Sequence, residues 1–237
     1  QNLRQRKIAA GYTMEELELI LHPMVDEAKE ATGSMGDDTP IAILSDKYRP
    51  LPHFFRQKFS QVTNPPIDSI REQSRMSLKT RFGNLRDVLD SNSYQESVFV
   101  MDSPVVTNSI FNKMLKFGKE ELVIIDCSFS TDENALKENI KRIQGEAEAA
   151  VLSGKQHIVL TDKYTDETRV SIPMILATAA VHSFLTRKGI RSFISLHVQS
   201  AECLDTHYFA VLIGVGATTV NPYLTQECIR ERHEKGL

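Results

Sequence analysis

Three things are scarce in this chain of 237 residues: cysteine, net charge and long apolar runs. The three cysteines, Cys127, Cys203 and Cys228, are too few and too scattered for a disulfide framework, and they favour a reducing compartment. Apolar runs such as Phe209–Ile213 span a few residues, whereas a membrane-spanning helix needs about 20. The sequence therefore excludes a disulfide scaffold and predicts no membrane partner.

The charge balance excludes a further class of partner. Lys and Arg number 28 against 31 Asp and Glu, which gives a formal net charge of −3. Phosphate backbones are bound by concentrated positive fields, so we expect no nucleic-acid partner. Hydrophobic residues at 41% and charged residues at 25% are ordinary globular values, and the length indicates one large domain or one domain with an arm.

The two ends of the sequence look like cuts. The chain begins at Gln1 with a polar, basic stretch that has no apolar core of a signal peptide, and it stops at Leu237 directly after a predicted helix. We therefore expect a segment excised from a longer polypeptide.

Residues 1–101 predict a helix, a loop and an irregular arm. Thr13 and Glu16 have the capping-box spacing, which predicts a helix from Met14 to about Ala31 with a kink at Pro23. A second helix is expected over residues 54–59. Residues 69–102 are polar and weakly patterned, so they are expected to form an irregular arm or long connection.

Residues 102–237 predict a parallel βα-repeat core. Strands are expected at Glu121–Ile125, His157–Leu160, Ser192–Val198 and Phe209–Ile213, and helices at 103–116, 132–152, 172–188 and 224–234. Strands that alternate with helices indicate an α/β fold, a parallel β-sheet flanked by helices and joined by right-handed crossovers. The arrangement is expected to be Rossmann-like or a partial barrel.

A glycine turn suggests one ligand site. Gly214–Thr219 follows the predicted strand Phe209–Ile213, and a Gly-x-Gly turn after a buried strand can let a phosphate approach backbone amides. The dinucleotide fingerprint is incomplete, because Thr219 stands three positions beyond Gly216. A small-ligand or phosphate-binding domain is therefore an alternative, and a tight turn explains the same glycines.

Two other groups of reactive side chains favour structural interpretations. Cys127 beside Asp126 has no histidine within local reach in the sequence, so packing is favoured over nucleophilic catalysis. A second group has metal-capable side chains but no zinc-like spacing, which favours satisfied histidines over a metal site. Its members are His197, Glu202, Cys203, Asp205 and His207.

Two turn-rich segments have a different character. Met35–Pro40 contains the carboxylates Asp37 and Asp38, and Asn64–Asp68 contains two consecutive prolines. Rigid loops without a nucleophile suggest docking surfaces or walls, and plain turn chemistry is an equal alternative.

These segments also carry a resemblance to a known family. Gly33–Pro40, Phe59–Asp68 and Arg75–Leu78 resemble blocks of the central domain of the glutamate synthase large subunit. Later blocks follow in the same order at Ile172–Pro173, Ala179–His182, Gly189–Arg191, His207–Ala210 and Asn221–Leu224. The resemblance covers nearly the whole chain.

The resemblance implies a role within a larger enzyme. Glutamate synthase makes two glutamates from glutamine and 2-oxoglutarate, with electrons from NADPH or ferredoxin. Its central domain links a glutamine amidotransferase domain to a domain that carries FMN and an iron–sulfur cluster, and it contributes to the wall of an internal ammonia tunnel. The implied partners are those two domains, with a small electron-transferring subunit as a further candidate. No cofactor, metal or catalytic residue is implied for this segment, and the implied location is the cytoplasm, or the plastid in a photosynthetic eukaryote.

The resemblance and the chemistry of ammonia together suggest where a tunnel wall would lie. Neutral hydrogen-bonding groups suit the passage of unprotonated ammonia, and a cation disfavours ammonium. The candidate tunnel or interdomain residues are Lys58, Thr63, Asn64 and Thr80, with Asp37 and Asp38 in the earlier loop.

Overall fold

The computed structural model describes residues 2–29, 39–40, 42–56, 58, 66–85, 89, 98–132 and 135–237. Its helices are α1 (Leu3–Ala9), α2 (Met14–Glu16), α3 (His22–Asp26), α4 (Ser69–Arg75), α5 (Asn108–Phe117), α6 (Ala135–Leu152), α7 (Met174–Arg187), α8 (Thr206–Gly214) and α9 (Tyr223–Glu234). Its strands are β1 (Thr80–Phe82), β2 (Phe99–Met101), β3 (Leu122–Asp126), β4 (Ser128–Ser130), β5 (His157–Thr161), β6 (Arg169–Ser171), β7 (Ser195–Gln199) and β8 (Thr219–Asn221).

The central sheet is parallel, and its strand order β3-β5-β7-β8 follows the order of the chain. Right-handed crossovers in an order without reversal place α6, α7 and α8 on the same face of the sheet. A doubly wound Rossmann sheet instead reverses its strand order and carries helices on both faces. The predicted α/β fold with a parallel sheet is confirmed, and its strand order without reversal differs from that of a doubly wound Rossmann sheet.

The two faces of this sheet differ in chemistry. Ile158, Leu160, Leu196 and Val198 are fully buried against α6, α7 and α8 in the main hydrophobic core. Because strand side chains alternate, the residues between them point to the opposite face. On that face, Val159 packs against α5, and many of its neighbours are polar.

Smaller units surround the sheet. β1 pairs antiparallel with β2, and β4 pairs antiparallel with β6. α1 packs against α9 through ion pairs of Arg6 with Glu227 and of Lys7 with Glu231. Leu17 and Leu21 pack onto α9 in a second apolar cluster. The N-terminal segment is thereby attached to the last helix of the chain.

The capping box predicted at the first long helix is present. The Thr13 hydroxyl accepts the Glu16 N–H at 3.1 Å, and the Glu16 carboxylate accepts the Thr13 N–H at 2.8 Å. A π-helical turn, Leu17–Leu21, then joins α2 to α3, with Pro23 in the first turn of α3. The helical segment ends at Asp26, five residues before the predicted end.

The predicted strand Phe209–Ile213 is wrong, because this segment lies inside α8. Asp205 caps that helix by accepting the Tyr208 N–H at 2.8 Å. Tyr208 and Leu212, four residues apart, are its buried positions. The last strand of the sheet is instead β8, and α8 is the crossover that leads to it.

Three further expectations, all for segments that precede β3, need correction. The described part of residues 54–59 is not a helix, because the chain forms a 3-10 turn at Leu51–Phe54 and is extended at Phe55. The stretch 69–102 is not wholly irregular, since it contains α4, β1 and β2. The helix predicted from Ser103 begins at Asn108, because the chain before it pairs with β8 through a bridge from Val105 to Val220.

Within the described ranges, no helix combines the length and the apolar composition that crossing a membrane requires.

Candidate functional site

A row of buried amide and hydroxyl groups crosses the carboxyl ends of three strands. The Thr161 hydroxyl donates to Gln199 Oε1 at 2.9 Å, and Gln199 Nε2 donates to Asn221 Oδ1 at 3.1 Å. Asn221 Nδ2 then donates to the Val106 carbonyl at 2.9 Å, on the segment before α5. Ligands usually bind at this edge of a parallel sheet. Here the groups are bonded to one another, so this row holds the sheet to α5.

Asp162, which is buried, and Glu202, which is partly buried, form a carboxyl pair just beyond these strand ends. Asp162 is 2% exposed and follows β5, while Glu202 lies in the loop after β7. Asp162 Oδ2 accepts the Ala201 N–H at 2.7 Å, whereas Oδ1 has no hydrogen bond of standard geometry among the described residues. Neither carboxylate has a Lys or Arg ion-pair partner in the described ranges.

Burial dominates the proton affinity of both groups. Burial, with a smaller contribution from the nearby Glu202 charge, raises the pKa of Asp162 to about 7, against weaker opposing contacts from Ala201, Tyr223 and Ser200. Burial also raises the pKa of Glu202, although its hydrogen bonds with the Tyr208 hydroxyl and the Met174 N–H oppose the change. The pair can therefore hold a proton near neutral pH.

Cys127 occupies a structural position, as the sequence favoured. Its side chain is fully buried, and burial raises the pKa of the thiol far above the ordinary value. Its backbone N–H donates to the Thr161 carbonyl, and its carbonyl accepts the Ile172 N–H. A thiol that stays protonated in an apolar core is a poor nucleophile.

The metal-capable group is dispersed among separate structural roles. His197 bonds to His157 and Thr219, while Asp205 caps α8. His207 Nε2 lies 2.8 Å from the Pro52 carbonyl, and Cys203 is buried. In the part of the chain that the structure describes, no group of three or more His, Cys, Asp or Glu side chains is placed to hold a metal ion. Both ring nitrogens of His197 have partners, whereas His207 bonds through Nε2 and its buried Nδ1 has no hydrogen-bond partner among the described residues.

The glycine turn at 214–219 does not have the strand-to-turn arrangement that the phosphate-binding alternative requires. It follows helix α8, so no strand end presents it. Gly216 has φ +116°, and a Cβ there would lie 2.3 Å from the His182 ring. Arg191 holds the same turn by donating to the Gly216 carbonyl at 2.8 Å and to His182 Nδ1 at 3.1 Å. The glycine is required by close packing on His182.

The predicted tunnel and interdomain residues are only partly described. Thr80 lies in β1, is partly buried, and donates from its hydroxyl to the Leu78 carbonyl at 3.0 Å. Lys58 is exposed. In the described ranges, no hydrogen bond or ion pair joins these two residues. The other predicted positions, Asp37, Asp38, Thr63 and Asn64, lie outside the described residues.

Sequence reasoning noticed some members of the carboxyl-edge group but missed how they are arranged. Glu202 belongs to the metal-capable group of the sequence, and Thr161 and Asp162 directly follow the predicted strand His157–Leu160. Gln199 and Asn221 carried no signal, because nothing in their local sequence shows that they share a register with Thr161. The paired register of β5, β7 and β8 brings them together.

Fold and site together define a parallel α/β domain whose polar edge is occupied by its own hydrogen bonds. The family model described as glutamate synthase central domain matches residues 5–237. This chain therefore belongs to the glutamate synthase central domain family.

Curated relatives agree with that assignment. The chain is 57% identical over 237 residues to the glutamate synthase [NADPH] large chain of Azospirillum brasilense, covering 99% of this chain and 16% of that protein. It is 39% identical over 234 residues to the ferredoxin-dependent glutamate synthase of Pyropia yezoensis, covering 97% and 15%. It is 38% identical to the glutamate synthase [NADPH] large chain of Bacillus subtilis, and the match covers 99% of this chain and 15% of that protein. The chain thus spans about a sixth of the length of the relatives it matches.

Proposed function

We propose that this chain is the structural central domain of a glutamate synthase large subunit, and that it links the amidotransferase domain to the domain carrying FMN and the iron–sulfur cluster. The observation that carries the proposal is the family match over residues 5–237, at 57% identity to a large chain that is several times longer. In this proposal the parent enzyme makes two glutamates from glutamine and 2-oxoglutarate in the cytoplasm, and its cofactors are bound by other domains.

The described side chains suit a structural role. The polar groups from Thr161 to Asn221 are hydrogen-bonded to one another. Cys127 is buried, and burial raises the pKa of its thiol. A domain of this kind contributes shape and rigidity, because a closed network of buried hydrogen bonds fixes a single arrangement.

We further propose that Thr80 belongs to the wall of the ammonia tunnel. Its hydroxyl is neutral, lies on a partly buried strand, and can donate or accept a hydrogen bond without protonating ammonia. Lys58, Thr63, Asn64, Asp37 and Asp38 remain candidates for the same wall or for an interdomain contact.

The test is Thr80→Val in the full-length enzyme, with Thr186→Val as the matched control. Thr186 is an exposed threonine on α7 whose hydroxyl also donates to a nearby carbonyl, at 2.7 Å. The measured quantity is glutamine hydrolysed per glutamate formed from 2-oxoglutarate. We expect Thr80→Val to raise this ratio and Thr186→Val to leave it unchanged. An unchanged ratio in Thr80→Val removes Thr80 from the tunnel wall.

A further inference from the structure

A cleft of about 330 Å³ lies between α1 and the loops that follow β5 and β7. Asp162 and Glu202 line it from the strand ends, and Arg6 of α1 and Tyr223 of α9 also line it. Ligands of parallel α/β sheets usually bind beyond the carboxyl ends of the strands, which is where this cleft lies. The cleft is separate from the closed row of hydrogen bonds, because none of the three side chains of that row lines it.

Two buried polar atoms on the residues that line this cleft have no hydrogen-bond partner among the described residues. One is an acceptor, Asp162 Oδ1, and the other is a donor, Arg6 Nε. The Tyr223 and Ser200 hydroxyls lie near the Asp162 carboxyl group and lower its pKa, but neither forms a hydrogen bond of standard geometry with Oδ1. Across the described chain, only one further buried side-chain atom of this kind occurs, at His207. Buried polar atoms are rarely left unpaired, so two of them in one cleft indicate a polar occupant.

Asp162 and Arg6 act on the same small region of the cleft without neutralising each other. Burial raises the pKa of the Tyr223 hydroxyl; the Asp162 charge adds to the rise and the Arg6 charge opposes it. Both groups are therefore close to one tyrosine side chain. The Arg6 guanidinium is paired with Glu227, whereas Asp162 has no ion-pair partner in the described ranges. The acidic group thus still lacks a counter-ion.

The charges around the cleft complement a ligand that carries both signs. Burial raises the pKa of Asp162 and of Glu202, so a ligand cation placed beside them stabilises their ionised forms. Lys163 lines the same cleft, is exposed, and forms no ion pair within the described ranges. Together with the free N–H of Arg6, it can bind an anionic group.

We propose that this cleft binds a free α-amino acid. The ammonium group of the ligand donates to Asp162 Oδ1 and faces the Glu202 carboxylate, while its carboxylate accepts from Arg6 Nε and pairs with Lys163. Small apolar side chains in the rest of the lining suit a ligand side chain of about the size of valine: Ala9, Ala10, Val170 and Ala201. This inference goes beyond the proposed function and does not depend on it, because the cleft is formed within this chain.

The test is an NMR titration of the 237-residue chain with L-valine at about pH 8, where Asp162 is ionised. The Ala201 N–H donates to Asp162 Oδ2, so its chemical shift reports on this carboxyl group. We expect a saturable shift with a dissociation constant of about 1 mM or lower. Isobutylamine lacks the carboxylate of valine and isovalerate lacks its ammonium group. Each should bind at least about tenfold more weakly, because each leaves one of the two buried atoms unpaired.

Two variants locate the ligand. Asp162→Asn should weaken L-valine binding by about tenfold or more, and this variant should fold, because it removes a buried charge. Asp166→Asn is the matched control: Asp166 also lines the cleft, but its carboxylate accepts hydrogen bonds from Thr168, so the affinity should stay within about twofold. Arg6→Lys keeps the charge that pairs with Glu227 and removes the Nε donor, so it should weaken binding several-fold.

The absence of a saturable shift with L-valine overturns the proposal and assigns the two unpaired atoms to bridging water. Isobutylamine binding as tightly as L-valine overturns it in favour of a simple cation site, and isovalerate binding as tightly overturns it in favour of an anion site. Undiminished binding to Asp162→Asn or to Arg6→Lys places the amino acid elsewhere and likewise overturns it. The glutamine-to-glutamate ratio of Thr80→Val is independent of these outcomes, so the proposed function is judged separately.

Discussion

Asp162 and Ala201 join the ends of two neighbouring strands, through a 2.7 Å hydrogen bond from the Ala201 N–H to Asp162 Oδ2. The bond connects the residue after β5 to the loop after β7. The same carboxyl group is buried without an ion-pair partner in the described ranges. The stability of the fold therefore depends on pH through this group.

Asp162→Asn is expected to make stability less dependent on pH. The folded pKa of about 7 lies above the ordinary 3.8, so the folded state binds this proton more tightly. Ionisation of Asp162 therefore destabilises the fold. This destabilisation is absent below about pH 4, grows between pH 4 and 7 and is complete above pH 7, where it is on the order of 4 kcal/mol. Urea unfolding between pH 4.5 and 8 should therefore show a flatter profile in the variant and higher stability at pH 8.

The control for that experiment is Asp166→Asn. Asp166 is an exposed carboxylate whose pKa is lowered by its hydrogen bonds with Thr168, so its contribution to the pH profile has the opposite sign. A wild-type slope retained in Asp162→Asn contradicts the assignment of this group.

Gly216→Ala is expected to destabilise the chain by about 3 kcal/mol, since φ +116° is unfavourable for alanine and the new methyl group meets the His182 ring. Gly214→Ala, two residues earlier, is the control. Gly214 is helical, and a Cβ there meets no atom within 4 Å, so that change should be neutral or stabilising. Thermal unfolding measures both variants. Equal melting temperatures would show that the close packing on His182 is unimportant.

Asn221→Asp should destabilise the fold at neutral pH by about 3 kcal/mol. The amide nitrogen that donates to the Val106 carbonyl becomes an acceptor, and a buried charge is introduced. Lowering the pH protonates the new carboxyl group and restores a donor, so the variant should recover part of its stability in acid. Urea midpoints at pH 5 and pH 8 check this. A deficit that is the same at both pH values argues against the hydrogen-bond row as its cause.

The native cysteines should resist iodoacetamide at pH 8 until the chain unfolds. Cys127, Cys203 and Cys228 are all buried, and burial raises the pKa of each thiol. Cys228 should react first, because its thiol pKa rises only to about 11. Peptide mass spectrometry with and without urea gives the order. Rapid labelling of Cys127 in the folded chain would contradict its assignment as a buried structural thiol.

The sequence predicted the elements whose signals are local. The capping box at Thr13 and Glu16, the strand at His157 and the helix that ends before Gly189 all follow from neighbouring residues. The segment Phe209–Ile213 was assigned wrongly because a five-residue apolar run suits a buried strand and a buried helix equally well.

What the sequence could not provide depends on distant partners. The segment around Ser103 has good helix-start residues, yet the bridge between Val105 and Val220 keeps it extended. The carboxyl pair of Asp162 and Glu202 likewise exists only once β5 and β7 are paired. Local pattern contains no information on such contacts.

The ordered growth of the sheet has a consequence for synthesis on the ribosome. After β3 emerges, each later strand of the sheet finds its neighbour already made, so the βα units can add one at a time. Val105 is the exception, since its partner Val220 emerges 115 residues later (220 − 105). The segment before α5 therefore gains its partner strand only after β8 has been synthesised, and the N-terminal helix α1 waits longer still, for α9.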